Sequence, residues 1–298
     1  MIVLVTGARG LIGSALAEAL ARQEHEVVRL PRSAPAGTGE FQWDPDRGAI
    51  DRGAFEGVDA VVHLAGETVA GRWSDAKKRR IRDSRVNGTR LVSETMAALD
   101  GPPPVLVCAS AIGLYGDRGD ERLTESSAPG SGFLADVVRE WEAAADPARA
   151  AGIRVVHTRF GIVQSAEGGA LKTMLPIFRL GLGGRLGSGR QYVSWVSIDD
   201  TVGAIGFALA RDDVSGALNV TAPEPVTQAE HARTLGRVLG RPALLPAPGF
   251  AVRAVLGEFA GEVLTGARVL PARLGELGYA FRHRELEPAL RDVLERPA

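Results

Sequence analysis

Short apolar runs and longer amphipathic stretches alternate along this chain. Ile2-Val3-Leu4-Val5 is continuously apolar, and strand-like runs recur at 26–30, 60–64, 105–109 and 154–159. Runs of this length, without strict polar alternation, predict strands buried in a parallel sheet. Between them the period lengthens to that of a helix. Leu11, Ile12, Ala15, Leu16, Ala19 and Leu20 share one helical face, and further helical patterns cover 74–99 and 132–145. Strand and helix in alternation predict an α/β fold, a Rossmann-like doubly wound parallel sheet with right-handed crossovers. Ligands of such sheets bind beyond the carboxyl ends of the strands.

From about residue 165 the pattern changes. A helix near 170–180 precedes the glycine-rich stretch 183–189 and a strand-like run at 191–198. No helix opens on those glycines, so they predict a hairpin turn rather than a second phosphate loop. Asp199 and Asp200 stand before an apolar helix at 202–209, where capping is their default role. A short strand at 218–221 and a helix at 228–239 follow. Beyond 242–246, Pro271, Pro288 and several glycines break the tail into short helices. The expected division is a nucleotide-binding domain over 1–165, to which part of 190–225 returns. Mixed substrate-side segments then fill 166–245, and a smaller, mostly helical substrate-side domain covers 246–298.

Composition narrows the function classes. The net charge is −1 over 298 residues, with both signs spread along the chain, which favours neither nucleic acid nor a membrane as partner. A strand that starts at residue 2 leaves no room for a signal peptide, and no apolar run reaches the ~20 residues a bilayer requires. A cytoplasmic location is the expectation. The single cysteine, Cys108, lies inside an apolar run and reads as a buried, inert thiol. The five histidines show no metal spacing, and no Gly-x-Ser-x-Gly elbow supports a hydrolytic triad. A small-molecule substrate is expected; its identity and the oligomeric state are not legible.

The sharpest signal is Thr6-Gly7-Ala8-Arg9-Gly10-Leu11-Ile12-Gly13, a glycine turn placed directly between the first strand and the first helix. Gly7 and Gly10 let the main chain turn and approach a ligand, and Gly13 lets the helix pack on the sheet. The helix N-terminus then offers amides and a positive dipole end to a pyrophosphate. An NAD site of this kind carries an acid at the end of the second strand. Here that strand runs into Pro31-Arg32-Ser33, and Arg9 lies within the turn. Paired guanidinium hydrogen bonds suit a 2′-phosphate, so NADP(H) is favoured over NAD(H). The charge run over 72–90 reads mainly as a solvated helix face, with Arg80 and Arg85 as candidates to reach inward after Leu64-Ala65-Gly66.

Together with His63-Leu64-Ala65-Gly66 and Leu114-Tyr115-Gly116, this turn resembles the extended short-chain dehydrogenase/reductase superfamily. The segments Asp83–Arg90, Gly181–Gly184, Thr221–Thr227 and 257–278 resemble its atypical, epimerase-like family with a C-terminal domain of unknown function. The resemblance implies cofactor contacts from Gly7, Arg9, Gly10, Leu11, Ile12, Gly13, Arg32, Leu64 and Ala65. It further implies that Ile162 and Val163 approach the nicotinamide end. The superfamily's proton donor is a tyrosine four residues before a lysine, and the ammonium lowers the phenol's pKa. No such pair exists here. The lysines are Lys77, Lys78 and Lys172, and four residues before them stand Trp73, Ser74 and Gly168. Phe133 and Val137 occupy the places where the pair is expected, and Val193 the place of an arginine that holds a sugar diphosphate. Ser110 and Tyr115 remain as candidate catalytic hydroxyls. Two readings follow: an oxidoreductase or epimerase of a small carbonyl or hydroxyl compound with non-standard acid/base groups, or a cofactor-occupied sensor that kept the fold and lost catalysis.

Overall fold

A computed structural model describes residues 1–33, 37 and 39–295. Six strands form the central sheet: β1 (Ile2–Thr6), β2 (Glu26–Leu30), β3 (Ala60–His63), β4 (Val105–Ala111), β5 (Arg154–Phe160) and β6 (Gly216–Val220). Their order is β6-β5-β4-β3-β1-β2, and all pairings are parallel. The predicted doubly wound α/β sheet is therefore the observed one. Its strands are apolar on both faces because both are covered. Val3 and Val5 point into one core and Leu4 into the other; Val105 and Val107 part in the same way from Leu106 and Cys108. Leu4, Val61 and Leu106 are wholly buried, each stabilising the fold by roughly 1.5–3 kcal/mol.

On one face lie α1 (Leu11–Arg22) and, later in the chain, the helix Ile198–Ala210. On the other lies α2 (Asp75–Ala97). Ser74 caps α2 by accepting a hydrogen bond from the Lys77 amide, which sets the start that the sequence suggested. α3 (Phe133–Ala143) follows β4.

Residues 162–164 continue beyond β5 and pair in parallel with Trp195–Ser197, while Tyr192–Val193 pairs antiparallel with Val226–Thr227. The run at 191–198 is thus two short strands in two small sheets. A third core gathers Leu171, Leu175, Trp195, Leu235, Leu286 and Leu290, so the last helix, Leu286–Glu295, packs with segments from 171 onward.

Two local expectations are corrected. Ser197, not an aspartate, is the N-cap of Ile198–Ala210, because its hydroxyl accepts from the Asp200 amide. The Asp200 carboxylate is buried and accepts from the amides of Arg282 and His283, which ties the tail to this helix. The glycines at 183–189 form no hairpin between paired strands. The Leu245 amide donates to Gly183 O, Ala247 to Arg185 O and Gly187 to Ala247 O. A Cβ on Gly184 would lie 2.0 Å from the Leu245 carbonyl oxygen, so these glycines permit two backbones to touch.

Candidate functional site

β1 lies where the strand order reverses, between β2 and β3, and the loops after these three strands enclose a crevice of about 380 Å³. Gly7 has φ +67°, and a Cβ there would sit 2.8 Å from the Leu64 carbonyl carbon. A Cβ on Gly13 would lie 2.2 Å from Gly7 O. The Gly10 amide donates to Gly7 O at 2.9 Å, and Gly10 is the N-cap residue of α1. The amides of Leu11, Ile12 and Gly13 consequently lack intrahelical acceptors, and the positive end of α1 faces the turn. This cradle fits a bridging diphosphate: its amides are free to donate, and a Cβ at Gly7 or Gly13 would strike backbone and force the turn open.

Thr6 locks the neighbouring loop in place. Its hydroxyl accepts from the amides of Leu64 and Ala65 at 3.1 and 3.3 Å. It lies 2.7 Å from His63 Nδ1 and, with its acceptor positions taken, donates there. His63 is buried, and desolvation lowers its pKa to about 4, so it is a neutral structural ring packed edge-on against Trp43.

The crevice walls include Gly7, Arg9, Gly10, Arg32, Leu64, Ala65 and Gly66. Leu11, Ile12 and Gly13 form the first turn of α1 beside it. Arg9 donates to Ser33 Oγ at 3.1 Å and pairs with Glu40 at 3.1 Å. Glu40 escaped sequence reasoning because it belongs to no predicted strand. It sits there because residues 39–41 hydrogen-bond along the outer edge of β2. Arg32 is exposed, lines the crevice and, like Arg80, adds its positive field at Glu67. Arg85 supports the loop from behind. It donates to Glu67 O and Ile81 O and stacks over Trp141, and burial lowers its pKa to about 10. Arg80 is exposed on α2 and its charge helps to lower Glu67. A hydrogen bond from Lys77 Nζ, at 2.5 Å, holds Glu67 below the usual carboxylate range.

Both candidate catalytic hydroxyls are internal. Ser110 Oγ donates to Glu142 Oε1 at 2.6 Å. Tyr115 is wholly buried, donates to Asn219 Oδ1 at 2.8 Å and accepts from Arg159 Nη1 at 3.0 Å. Burial pushes its phenol pKa up, and Arg159 only partly opposes this. Both hydroxyls, the sequence's candidates for catalysis, are thus buried and engaged by side chains of the protein itself. Glu142 and Arg159, which bind them, went unnoticed in the sequence because they lie 17 residues apart on different elements. Phe133, at the start of α3, packs its ring 5.0 Å from Trp73, with Lys78 Nζ 4.9 Å above it. Val137 is buried.

Ile162 is partly exposed at the end of β5, opposite Trp195, and Val163 lies opposite Val196. Trp195 itself is wholly buried and donates to Glu224 O, so it serves the core. Val193 is buried as well. Next to it, Arg268 stacks on Tyr192 with its Nε shielded and unpaired. Ser194 connects the two segments: its carbonyl accepts from Ile162 N, and its hydroxyl bonds Ala267 O and Val269 N. Cys108 is buried and its thiol is pushed up to about 12, consistent with an inert role.

Residues 3–221 match the family model described as "NAD dependent epimerase/dehydratase family", and residues 247–293 match a domain of unknown function, DUF1731. The chain is 45% identical over 298 residues to "Epimerase family protein Mb2239" of Mycobacterium bovis, covering 99% of this chain and 98% of that one. It superposes on human epimerase family protein SDR39U1 (isoform 2), solved with NADPH, at a TM-score of 0.91 and 36% identity, over 100% of both chains. MoeE5, solved with UDP-glucose and NAD, shares the fold at a TM-score of 0.80 and 23% identity, covering 99% of this chain and 98% of that one. On this match across both of its parts, the chain belongs to the NAD-dependent epimerase/dehydratase family and carries that family's DUF1731 C-terminal domain.

Proposed function

We propose that this protein binds NADP(H) and acts as an oxidoreductase or epimerase on a small carbonyl or hydroxyl compound, without a Tyr–Lys proton relay. The observation that carries this reading is the glycine cradle at Gly7 and Gly13 with Arg9 and Arg32 beside it. The amides at the start of α1 would hold the bridging phosphates, and the two guanidiniums suit a 2′-phosphate. The human relative solved with NADPH supports the same choice. Bound there, the cofactor supplies hydride chemistry. The chain's own residues then have to position the substrate and exclude water. Phe133, Trp73 and Phe259 form an aromatic cluster, and Arg268 offers a cation that makes no ion pair among the described residues.

A second reading, a cofactor-bound sensor, is favoured by the internal placement of Ser110 and Tyr115 and by the phenyl at Phe133. The two are separated by following nicotinamide absorbance of the NADPH-loaded protein across a panel of carbonyl compounds, and of the NADP⁺-loaded protein across alcohols. Substrate-dependent change that is lost in Arg268→Ala supports the enzyme. Tight binding with no redox change across the panel supports the sensor.

A further inference from the structure

The near-zero net charge conceals a strong segregation. From residue 168 to 198 and again from 231 to 257 the chain contains no aspartate or glutamate, yet these stretches carry Lys172, Arg179, Arg185 and Arg190, then Arg233, Arg237, Arg241 and Arg253. Elsewhere among the described residues, 14 of 26 lysines and arginines pair with a carboxylate. Here, among the described residues, only Arg237 has such a partner, Glu287. Among the described residues, the same two stretches hold seven of the nine large apolar side chains that the fold leaves exposed.

Topology brings these features to one place. Residues 183–187 and 245–247 run side by side through three backbone hydrogen bonds, and Gly181 faces Pro242. Leu180 and Leu182 on one segment thereby lie beside Leu244 and Leu245 on the other, at exposures of 74%, 54%, 81% and 53%. Arg179, Arg185 and Arg241 are exposed on the same two segments. The helix Gly249–Leu256 starts two residues after Ala247 and adds Phe250, 76% exposed, and Arg253. Leucines this open exceed what an isolated surface residue needs to explain.

We propose that this face docks peripherally on an anionic lipid bilayer. Charge complementarity selects the occupant. A second copy that presented the same face would set arginines against arginines, whereas an anionic leaflet attracts each of them by about 1 kcal/mol near the surface. Exposed leucine and phenylalanine among arginines supply the apolar and electrostatic parts that interfacial binding combines. No helix among the described residues is long and apolar enough to cross a membrane, so the contact is with one leaflet. The face stands on its own observations and does not depend on the nucleotide crevice.

The test is co-sedimentation of the full chain with phosphatidylcholine vesicles, with and without phosphatidylglycerol, at low and high salt. Binding should require phosphatidylglycerol and weaken with salt. It should fall about tenfold or more in Arg179→Glu/Arg241→Glu and likewise in Leu244→Asp/Phe250→Asp, while NADPH binding and melting temperature stay at wild-type values. Equal binding to both vesicle types, no binding to either, or unchanged binding in both variants overturns the proposal. So does a dimer in solution that Leu244→Asp dissociates, which would assign the face to a second copy. Binding to polyglutamate without any binding to vesicles would equally overturn it, in favour of an acidic protein.

Discussion

Arg159 and Glu142 meet through two parallel hydrogen bonds of 2.8 Å each, joining β5 to α3. Ser110 and Tyr115 both attach to it. Burial raises the Glu142 carboxyl, but the hydrogen bonds and charge of Arg159 outweigh that and hold it below the usual range. The opposing carboxylate likewise raises the Arg159 guanidinium, against the effect of its burial.

Removing one partner leaves the other charge buried. Glu142→Gln should therefore destabilise the fold by about 3–5 kcal/mol, read as a lower urea midpoint. Tyr115→Phe removes the two hydrogen bonds of the phenol oxygen, donated to Asn219 and accepted from Arg159, and should cost about 1–2 kcal/mol. NADPH affinity in Tyr115→Phe should stay at the wild-type value. A Tyr115→Phe variant of full stability that had lost NADPH-dependent turnover would return the phenol to catalysis.

The Arg9–Glu40 pair restrains one of the two guanidiniums that face the crevice. Glu40→Gln should free Arg9 and tighten NADPH more than NADH. Arg32→Asp should weaken NADPH by about tenfold and leave NADH little changed, the size of one charge-assisted contact at an exposed site. Calorimetric titration of both coenzymes on each variant checks this; equal losses for the two coenzymes would remove Arg32 from the 2′-phosphate.

Gly13→Ala places a methyl 2.2 Å from Gly7 O, and neither backbone can yield without opening the turn. Overpacking of this kind costs roughly 1–3 kcal/mol. NADPH affinity should fall further than stability does, because the displaced Gly7–Gly10 loop is the cradle itself. A crystal structure of the variant with an undisturbed turn would contradict this reading.

Three buried imidazoles, His63, His157 and His231, each have a pKa lowered to about 4 by desolvation. Between about pH 4 and 6.5 the unfolded chain protonates them and the folded protein does not. Stability therefore falls as pH drops through that window, each histidine adding a slope of about 1.4 kcal/mol per pH unit. Above pH 6.5 both states are neutral and this contribution is absent. Urea midpoints measured from pH 7.5 to 4.5 should show the decline, and His231→Gln should reduce the slope by one proton. A flat profile would mean that these rings are protonated or solvated in the folded state.

How much of this was legible in the sequence follows from how local each signal is. The cradle at 6–13 is contiguous, so its glycines and the start of α1 could be read directly. Ser74 announced α2 for the same reason. The Glu142–Arg159 pair joins α3 to β5, and no spacing rule links them. Glu40 reaches the crevice only because residues 39–41 lie along β2. The glycines at 183–189 resembled a turn, yet their purpose is close contact with 245–247, some 60 residues later. The basic apolar face was hidden by the whole-chain charge, which sums over segments that the fold keeps apart.

The central claim is that the amides at the head of α1 and the guanidiniums of Arg9 and Arg32 form an NADP(H) site. Calorimetric titration of NADPH and NADH into ligand-free, folded protein tests it most directly. The expected result is one NADPH per chain, bound at least about tenfold more tightly than NADH, in line with one added charge-assisted contact. No heat with either coenzyme would contradict the site itself, and equal affinities would contradict its arginines.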